Sequence, residues 1–508
     1  MNPVLQRRLL ALAALPVALL IGWQVAHESL LLPLLLAAGA AAFVAVRFTH
    51  VALDVAVLGL LLFGYVVGNR GFAQQMPFAG LPLFPAEFGL ALGGGWLLVK
   101  SAWHKELPWR GDLLNWTLLL WIAAGTARLA FDVRREGFMA VRDYAMVYYA
   151  GFFFVAQQQA ADARARRFLR GCLLWGVAVL LPVYPLFKAF PEFFVGTLTV
   201  RGVPLIFYKN DLVQTFLAAG SVVLFQAAMG QRWALAGKLG AILLGGAVLV
   251  ENSRAALVGL AAAAGWLALT RKPAYLKSLA LAGALALVGL LFATWVGRGE
   301  WRQSSLVVMY ERVASMFDVQ GTRTYASEEL GDKPNNNRFR LVWWRSVIGE
   351  TWENAPAFGL GFGHDLAERF LRVYEFDLGE DFNVRSPHSF PVTVFGRMGA
   401  VGALLLLALI VALTRITWRR LREADETAEP QSGLWCACWV ILVSACFGVV
   451  LEGPMGAVVF WTLLGLANGT PATEPADDAM TPADTPASDS AAPPLPKAPA
   501  AVSVDRAS

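Results

Sequence analysis

Three short stretches combine residue types that can hold a phosphate or move a proton. Arg201-Gly202-Val203-Pro204 leads into Tyr208-Lys209-Asn210-Asp211, and Glu251-Asn252-Ser253-Arg254 separates two apolar runs. A long polar segment contains Asn337-Arg338-Phe339-Arg340-Leu341-Val342-Trp343-Trp344, followed by Pro356-Ala357-Phe358-Gly359-Leu360-Gly361-Phe362-Gly363-His364. It closes on Ser386-Pro387-His388-Ser389-Phe390, ahead of Gly396-Arg397-Met398-Gly399-Ala400-Val401-Gly402. Arginine suits a diphosphate because its planar fork makes paired bonds to phosphate oxygens and stays charged at every relevant pH. The ordinary reading of Arg254 is an interfacial arginine, with Asn252 or Ser253 capping the helix that follows. His388 stands after a proline that sets a turn, at the mouth of an apolar helix, and its near-neutral pKa suits proton transfer. A lone histidine is more often structural, so His388 needs context.

The elements that must position these residues are membrane spans. The chain has 508 residues, 57% hydrophobic and 16% charged, with a mean hydropathy of +0.53, whereas a soluble domain carries about 25% charged residues. Apolar runs such as Leu113–Ala127, Leu212–Met229, Ala241–Val250 and Leu279–Val296 recur, several approaching the roughly 20 residues that cross the hydrocarbon core. The net charge of +5 requires no nucleic-acid partner, because basic residues in membrane proteins are mainly topology signals. Cys172, Cys436, Cys438 and Cys446 all fall in apolar segments and read as small buried hydrophobes, not as a disulfide framework or a metal site.

Hydropathy predicts an all-α, polytopic transmembrane bundle of about twelve to fourteen spans. Their centres fall near Pro16, Ala38, Gly59, Leu92, Leu120, Gly151, Ala178, Ser221, Gly245, Ala262, Leu285, Leu404, Val443 and Val459. With the N-terminus inside, every second short loop is basic: Arg47, then Lys100/Lys105/Arg110, Arg164/Arg166/Arg167/Arg170, Arg232/Lys238, Arg271/Lys272/Lys277 and Arg415/Arg419/Arg420/Arg422. That alternation puts Arg201, Arg254, the polar segment and His388 together on the outer face. One outer loop dissents, with Arg134 and Arg135 beside Asp132 and Glu136. The organisation expected is N-terminal spans over 1–200, further spans over 201–296, an outer loop over 297–387, C-terminal spans over 388–468 and a disordered Pro/Ala/Thr/Ser/Asp-rich tail over 469–508. Amphipathic stretches at Phe339–Ile348 and Leu366–Phe376 predict short helices in the long loop.

The Ser253-Arg254 pair opening a span, the Arg340-x-x-x-Trp344 spacing, the Pro356-x-x-Gly359-x-Gly361-x-Gly363 run and His388-Ser389 ahead of a glycine-punctuated helix together resemble the O-antigen ligase/polymerase family. The likeness runs from about Arg201 to Gly402, and Ser389 stands where the family often has asparagine. It implies a GT-C-like membrane glycosyltransferase of the bacterial inner membrane, working on the periplasmic face without a metal or other cofactor. Its donor would be a glycan on undecaprenyl pyrophosphate, and its acceptor lipid A core or a growing polysaccharide, with membrane lipids around it. By that resemblance Arg254, Arg201 and Arg340, with Arg338 beside them, hold the pyrophosphate. His388 then accepts the acceptor's proton, and Gly359, Gly361, Gly363 and Ser389 border the substrate, the glycines allowing a tight turn with close backbone approach. Asp365, Glu368 and Asp377 are alternative bases, with a solvated loop surface as their ordinary explanation. The sequence has no Asp-x-Asp pair and no His/Cys cluster of the kind that binds metal. A repeat-unit polymerase or a transferase to protein hydroxyls would use the same residues. A lipid-linked oligosaccharide flippase would need mid-span charges along a central path, of which Asp54 is the clearest.

Overall fold

The structure is a computed structural model that describes residues 31–76, 84–229, 234–250, 253–270, 328–374, 385–423 and 431–469, with isolated positions between 277 and 311. The expected span near Pro16, the greater part of the one near Leu285, Asp377 and the tail lie outside the described residues. Helices dominate: α1 (Leu31–Thr49), α2 (Leu53–Ala73), α3 (Pro85–His104), α4 (Leu113–Glu136), α5 (Phe138–Tyr148), α6 (Gly151–Gln159) and α7 (Ala163–Ala189) precede a two-stranded hairpin, β1 (Thr199–Val200) and β2 (Val203–Pro204). Then come α8 (Asn210–Ala228), α9 (Ala234–Val250), α10 (Arg254–Leu269), α11 (Glu328–Asn354), α12 (Glu368–Tyr374), α13 (Phe390–Glu423), α14 (Gln431–Ala445) and α15 (Pro454–Gly469). Among the described residues α2, α4, α7, α8 and α13 are long and apolar enough to cross a membrane, and several shorter apolar helices pack with them. This is the all-α, multi-pass membrane architecture expected from hydropathy.

The centre of the bundle is α8, largely apolar and buried along nearly its whole length, against which α9, α10, α14 and α7 pack. A helix apolar on most of its faces belongs in such a position. Between helices, where lipid supplies little hydrophobic drive, small residues let backbones approach. A Cβ on Gly259 of α10 would lie 2.7 Å from the Val440 carbonyl of α14, and one on Gly465 of α15 would lie 2.3 Å from that of Phe153 in α6. The span expected around Gly151 is instead two short helices, α5 and α6. The joint between them is tightened by Ala150 N–H to Val147 O (3.1 Å) and Phe153 N–H to Ala150 O (3.0 Å).

Two helices are broken, and each break is stitched by another segment. In α2, Asn69 is non-helical (φ 51°, ψ −122°), and its side-chain oxygen accepts from Arg70 N–H (3.0 Å) and Lys209 N–H (3.2 Å). Gly71 N–H donates to Phe207 O (3.2 Å). In α13, Gly399 is non-helical (φ 59°, ψ −151°). The amides of Ala400 and Val401 turn away from their own helix and donate to Pro356 O (2.8 Å) and Ala357 O (3.1 Å), while Gly396 O accepts from Leu360 N–H (2.7 Å). The polar segment is thus woven into the backbone of a spanning helix, which gives the Ala400 and Val401 amides partners at the break. The helices expected within that segment are α11 and α12, which share a small core of Trp343, Val347, Leu366 and Phe370.

At one end of the bundle lie the breaks in α2 and α13, the hairpin, the starts of α8 and α10 and the connection between α14 and α15. At the other lie Arg110, the end of α15 and the basic end of α13. Membrane-impermeant thiol labelling tests this division in a chain freed of its four native cysteines. Arg201→Cys and Arg338→Cys should react in intact cells, and Arg164→Cys and Arg419→Cys only after lysis. Equal labelling of all four, or the reverse pattern, would refute it.

Candidate active site

His388 sits in the turn that enters α13, in the left-handed backbone region (φ 56°), a sparsely populated conformation for a residue with a Cβ. The turn is clamped by two tryptophans of α11. Trp344 Nε1 donates to Pro387 O (2.6 Å), and the Trp343 ring meets the His388 ring edge-on with centroids 6.1 Å apart. Trp343 is itself fixed by Nε1 donating to Leu366 O (2.9 Å) and by stacking on Phe370. The Arg340-x-x-x-Trp344 spacing therefore places a cation one turn from the residue that grips the histidine loop.

Arg340 is half-buried, and its Nη1 donates to Phe447 O (2.7 Å). Lys209, which caps α8, donates from Nζ to Val449 O (2.8 Å). Both cations therefore lean on the connection between α14 and α15, which also carries Glu452. Glu452 is half-buried, one oxygen accepting from Ser386 Oγ and Thr393 Oγ1 (both 3.3 Å) and the other, shielded from solvent, having no partner among the described residues. Burial raises its carboxyl above the ordinary carboxylate range, a shift that Lys209 partly offsets. Burial lowers the Arg340 and Lys209 values. The His388 imidazole is lowered to about 4, first by burial and then by the charges of Arg340 and Lys209. In this state the histidine is neutral near pH 7, facing two cations, with a proton-poor ring and a carboxyl that favours its uncharged form.

The other sequence-predicted residues are placed as follows. Arg254 opens α10, half-buried, with Ser253 capping the helix through Ala256 N–H (3.4 Å). That start abuts the end of α14, where Ser444 Oγ donates to Ala255 O (3.2 Å), three residues before the carbonyl that holds Arg340. Arg338 is exposed on α11. Arg201 is exposed at the hairpin tip, where it and Gly202 both have positive φ (53° and 77°), the two-residue turn that right-twisted strands favour. Arg201 is not gathered with the others. Ser389 is buried, its carbonyl accepting the Thr393 amide (2.9 Å) in the first turn of α13. Asp365 accepts from Ala367 N–H (2.9 Å), and Glu368 pairs with Arg372 on an exposed face of α12. Both acids are thus occupied in shaping the loop.

The glycine run makes its close approach to the protein's own helices. A Cβ on Gly359 (φ 76°) would lie 2.4 Å from the Arg397 carbonyl carbon, and one on Gly363 (φ 92°) 2.3 Å from Glu136 Cβ. Gly361 (φ 102°) lies against Asp132 of α4. Asp132 accepts Phe362 N–H (2.7 Å), Asp143 of α5 accepts Gly363 N–H (3.0 Å), and Arg397 reaches Asp143 (2.8 Å), Gly361 O and His364 O (both 3.2 Å). Buried Asp132 is a docking point for the turn, whereas Arg134 and Arg135 of the same charged stretch are exposed. Lys209 stood in a noted stretch but without an assigned role, and Glu452 gave one signal, a single acid between two apolar runs.

Residues 239–407 match the family model described as O-antigen ligase. The matched stretch includes Arg254, Arg338, Arg340, the glycine run, His388 and Ser389, and leaves out Arg201, Lys209 and Glu452. No curated protein matches the chain.

Gly359→Ala should lower stability by about 2 kcal/mol, because it strains a left-handed backbone against a rigid carbonyl. Gly349→Ala, on a helical position of α11 with open space around it, should be neutral or gain up to about 1 kcal/mol. Thermal unfolding in detergent, followed by intrinsic fluorescence, separates the two. Equal melting temperatures for both variants would show that the turn is not held as described.

Proposed function

We propose that this membrane chain, with its O-antigen ligase segment, is a glycosyltransferase that moves a glycan from undecaprenyl pyrophosphate to an acceptor hydroxyl. In this reading the reaction takes place on the periplasmic face of the bacterial inner membrane and needs no metal. The observation that carries the reading is the convergence of Lys209 and Arg340 on a neutral, half-buried His388 at one end of the bundle.

The chemistry asks for three things, and the cluster answers each. The acceptor oxygen attacks the anomeric carbon as the bond from that carbon to the pyrophosphate oxygen breaks, so negative charge collects on the departing lipid pyrophosphate. Arg340 and Lys209, with Arg254 at the neighbouring helix start, meet that charge, and arginine's fork does so through paired bonds. The hydroxyl proton passes to His388. Its low proton affinity comes partly from the same two cations, so a bound pyrophosphate that neutralises them raises the imidazole toward its ordinary value. The base gains strength when the donor arrives. Glu452, whose charged form burial disfavours, holds Ser386 and Thr393 through one oxygen.

Metal independence rests on the sequence's lack of an Asp-x-Asp pair and on the donor set. Among the described residues no three His, Cys, Asp or Glu side chains group as metal ligands, and the cations here are side chains. Arg201, at the hairpin tip, has the weakest claim to touch the donor.

The test is transfer by the purified full chain from a defined undecaprenyl-pyrophosphate glycan to candidate acceptors, with product identity separating a ligase from a polymerase. Donor affinity should survive His388→Ala while the single-turnover rate falls by about 10² to 10⁴. Arg340→Ala should weaken donor binding by about tenfold or more, and Arg254→Lys should restore little of what Arg254→Ala loses. Wild-type turnover by His388→Ala would remove that residue from the chemistry. Activity lost to a chelator and restored by magnesium would refute metal independence.

The pH dependence has a definite sign. The base must be unprotonated, so both kcat/KM and kcat fall as pH drops. The acid limb should lie near pH 4 in kcat/KM, which reports the free enzyme, and at higher pH in kcat, which reports the donor complex. Coincident limbs would contradict the coupling between donor and base.

A further inference from the structure

The end of the bundle opposite His388 carries a second constellation that the transfer chemistry does not use. A cleft of about 320 Å³ is lined by Arg110 from the connection before α4, by Arg415, Arg419 and Arg420 on the last turns of α13, and by Asn468 near the end of α15. Its remaining wall includes Leu113, Ala412 and Ile416. The one carboxylate in the lining, Asp112, is already engaged. It accepts from Asn115 N–H (2.8 Å) and Nδ2 (2.9 Å) with one oxygen and from Asn468 Nδ2 (3.0 Å) with the other. Four guanidiniums thus share a cleft with a single carboxylate, which offsets only part of their charge.

The positive-inside rule accounts for arginines at this end, but not for their convergence on a cleft. Arg110 is pinned there, its two terminal nitrogens donating to Asn468 O (2.7 Å) and Gly469 O (2.6 Å). Arg420 points its buried Nε at no hydrogen-bond partner among the described residues. Bringing like charges together and leaving a buried donor unmet are both costly unless an anion completes the site. Burial lowers the Arg110 value, Asp112 offsets part of that shift, and the charge of Arg420 lowers it further. The apolar wall says what kind of anion it is. Leu113 and Ile416 continue the lipid-facing surface to the rim, and the neighbouring Trp418, 40% exposed and stacked under Arg422 (5.2 Å), is the aromatic that marks a membrane interface.

We propose that this cleft binds the phosphate headgroup of an anionic phospholipid, its guanidiniums on the phosphate and Leu113 and Ile416 along the start of an acyl chain. Basic pockets between spanning helices at that depth are suited to such headgroups. The inference is independent of what the outer cluster catalyses.

The experiment is native mass spectrometry or fluorescence titration of the full chain in detergent, with dioleoylphosphatidylglycerol, dioleoylphosphatidylcholine and inorganic phosphate as probes. Phosphatidylglycerol should bind at least tenfold more tightly than phosphatidylcholine. Arg420→Gln should weaken it by about tenfold, the loss expected for one charge-assisted phosphate contact. The double variant Arg415→Gln/Arg419→Gln changes two exposed residues, and it keeps the test open if Arg420→Gln does not fold. Equal binding of the two lipids, or wild-type phosphatidylglycerol affinity in the variants, would overturn the site. Inorganic phosphate binding as tightly as phosphatidylglycerol would overturn the lipid assignment in favour of a free anion.

Discussion

The His388 end of this bundle depends on one buried ion pair, Arg397 with Asp143 (2.8 Å). Arg397 lies inside a spanning helix and is 3% exposed, where an uncompensated charge would be prohibitive. It is compensated by Asp143 and by two carbonyls of the glycine turn, and Asp143 also takes the Gly363 amide. The same contacts therefore neutralise the charge, satisfy the turn's backbone and fasten α13 to α5. With the turn seated, the break at Gly399 can borrow its carbonyls, and α11 is fixed at the depth where Trp343 and Trp344 reach the histidine loop.

From that anchor the chemical residues are placed second-hand. His388 is held by tryptophans, and those are held by Leu366 and Phe370. Lys209 is aimed by Asn69, whose non-helical backbone exists because α2 breaks to pair with Phe207. Arg340 and Lys209 meet through carbonyls of a connection that would otherwise look like a plain turn between two apolar helices. The cations stay available because their fixed partners are neutral carbonyls, not carboxylates. Each keeps donors to spare for an incoming anion.

The two ends of the molecule use arginine differently. At the His388 end two of the cations, Arg340 and Lys209, face a histidine whose proton affinity they lower together with burial. At the other end four guanidiniums share a cleft with an apolar wall, and an amide cluster of Asn115, Gln157 and Asn468 (2.7 to 2.9 Å) ties α4, α6 and α15 beneath it. Those amides pair with one another in the bundle interior, where water is scarce and an unmet amide is costly. The long α13 runs between the two sites, with Thr393 and Arg397 near one end and Arg415 to Arg420 at the other.

Hydropathy and charge alternation determined the class, the approximate spans and which short loops share a side, because crossing a bilayer imposes length and polarity on each segment by itself. Capping of α10 by Ser253 and the helices around Phe339–Ile348 and after Leu366 were legible for the same reason, since caps and amphipathic periods are local. What the glycines at 359, 361 and 363 approach was not legible. A positive φ can be read from a glycine pattern, but its neighbour is Arg397 or Glu136 only once α13 and α4 have packed. Lys209 and Glu452 belong together through α8, α13 and the connection after α14, and Arg201 stands apart because a two-residue turn carries it to a hairpin tip. Arg110 and Arg420 form a cleft only where distant helix ends meet. Contacts between distant segments follow from helix packing, which no single stretch of sequence contains.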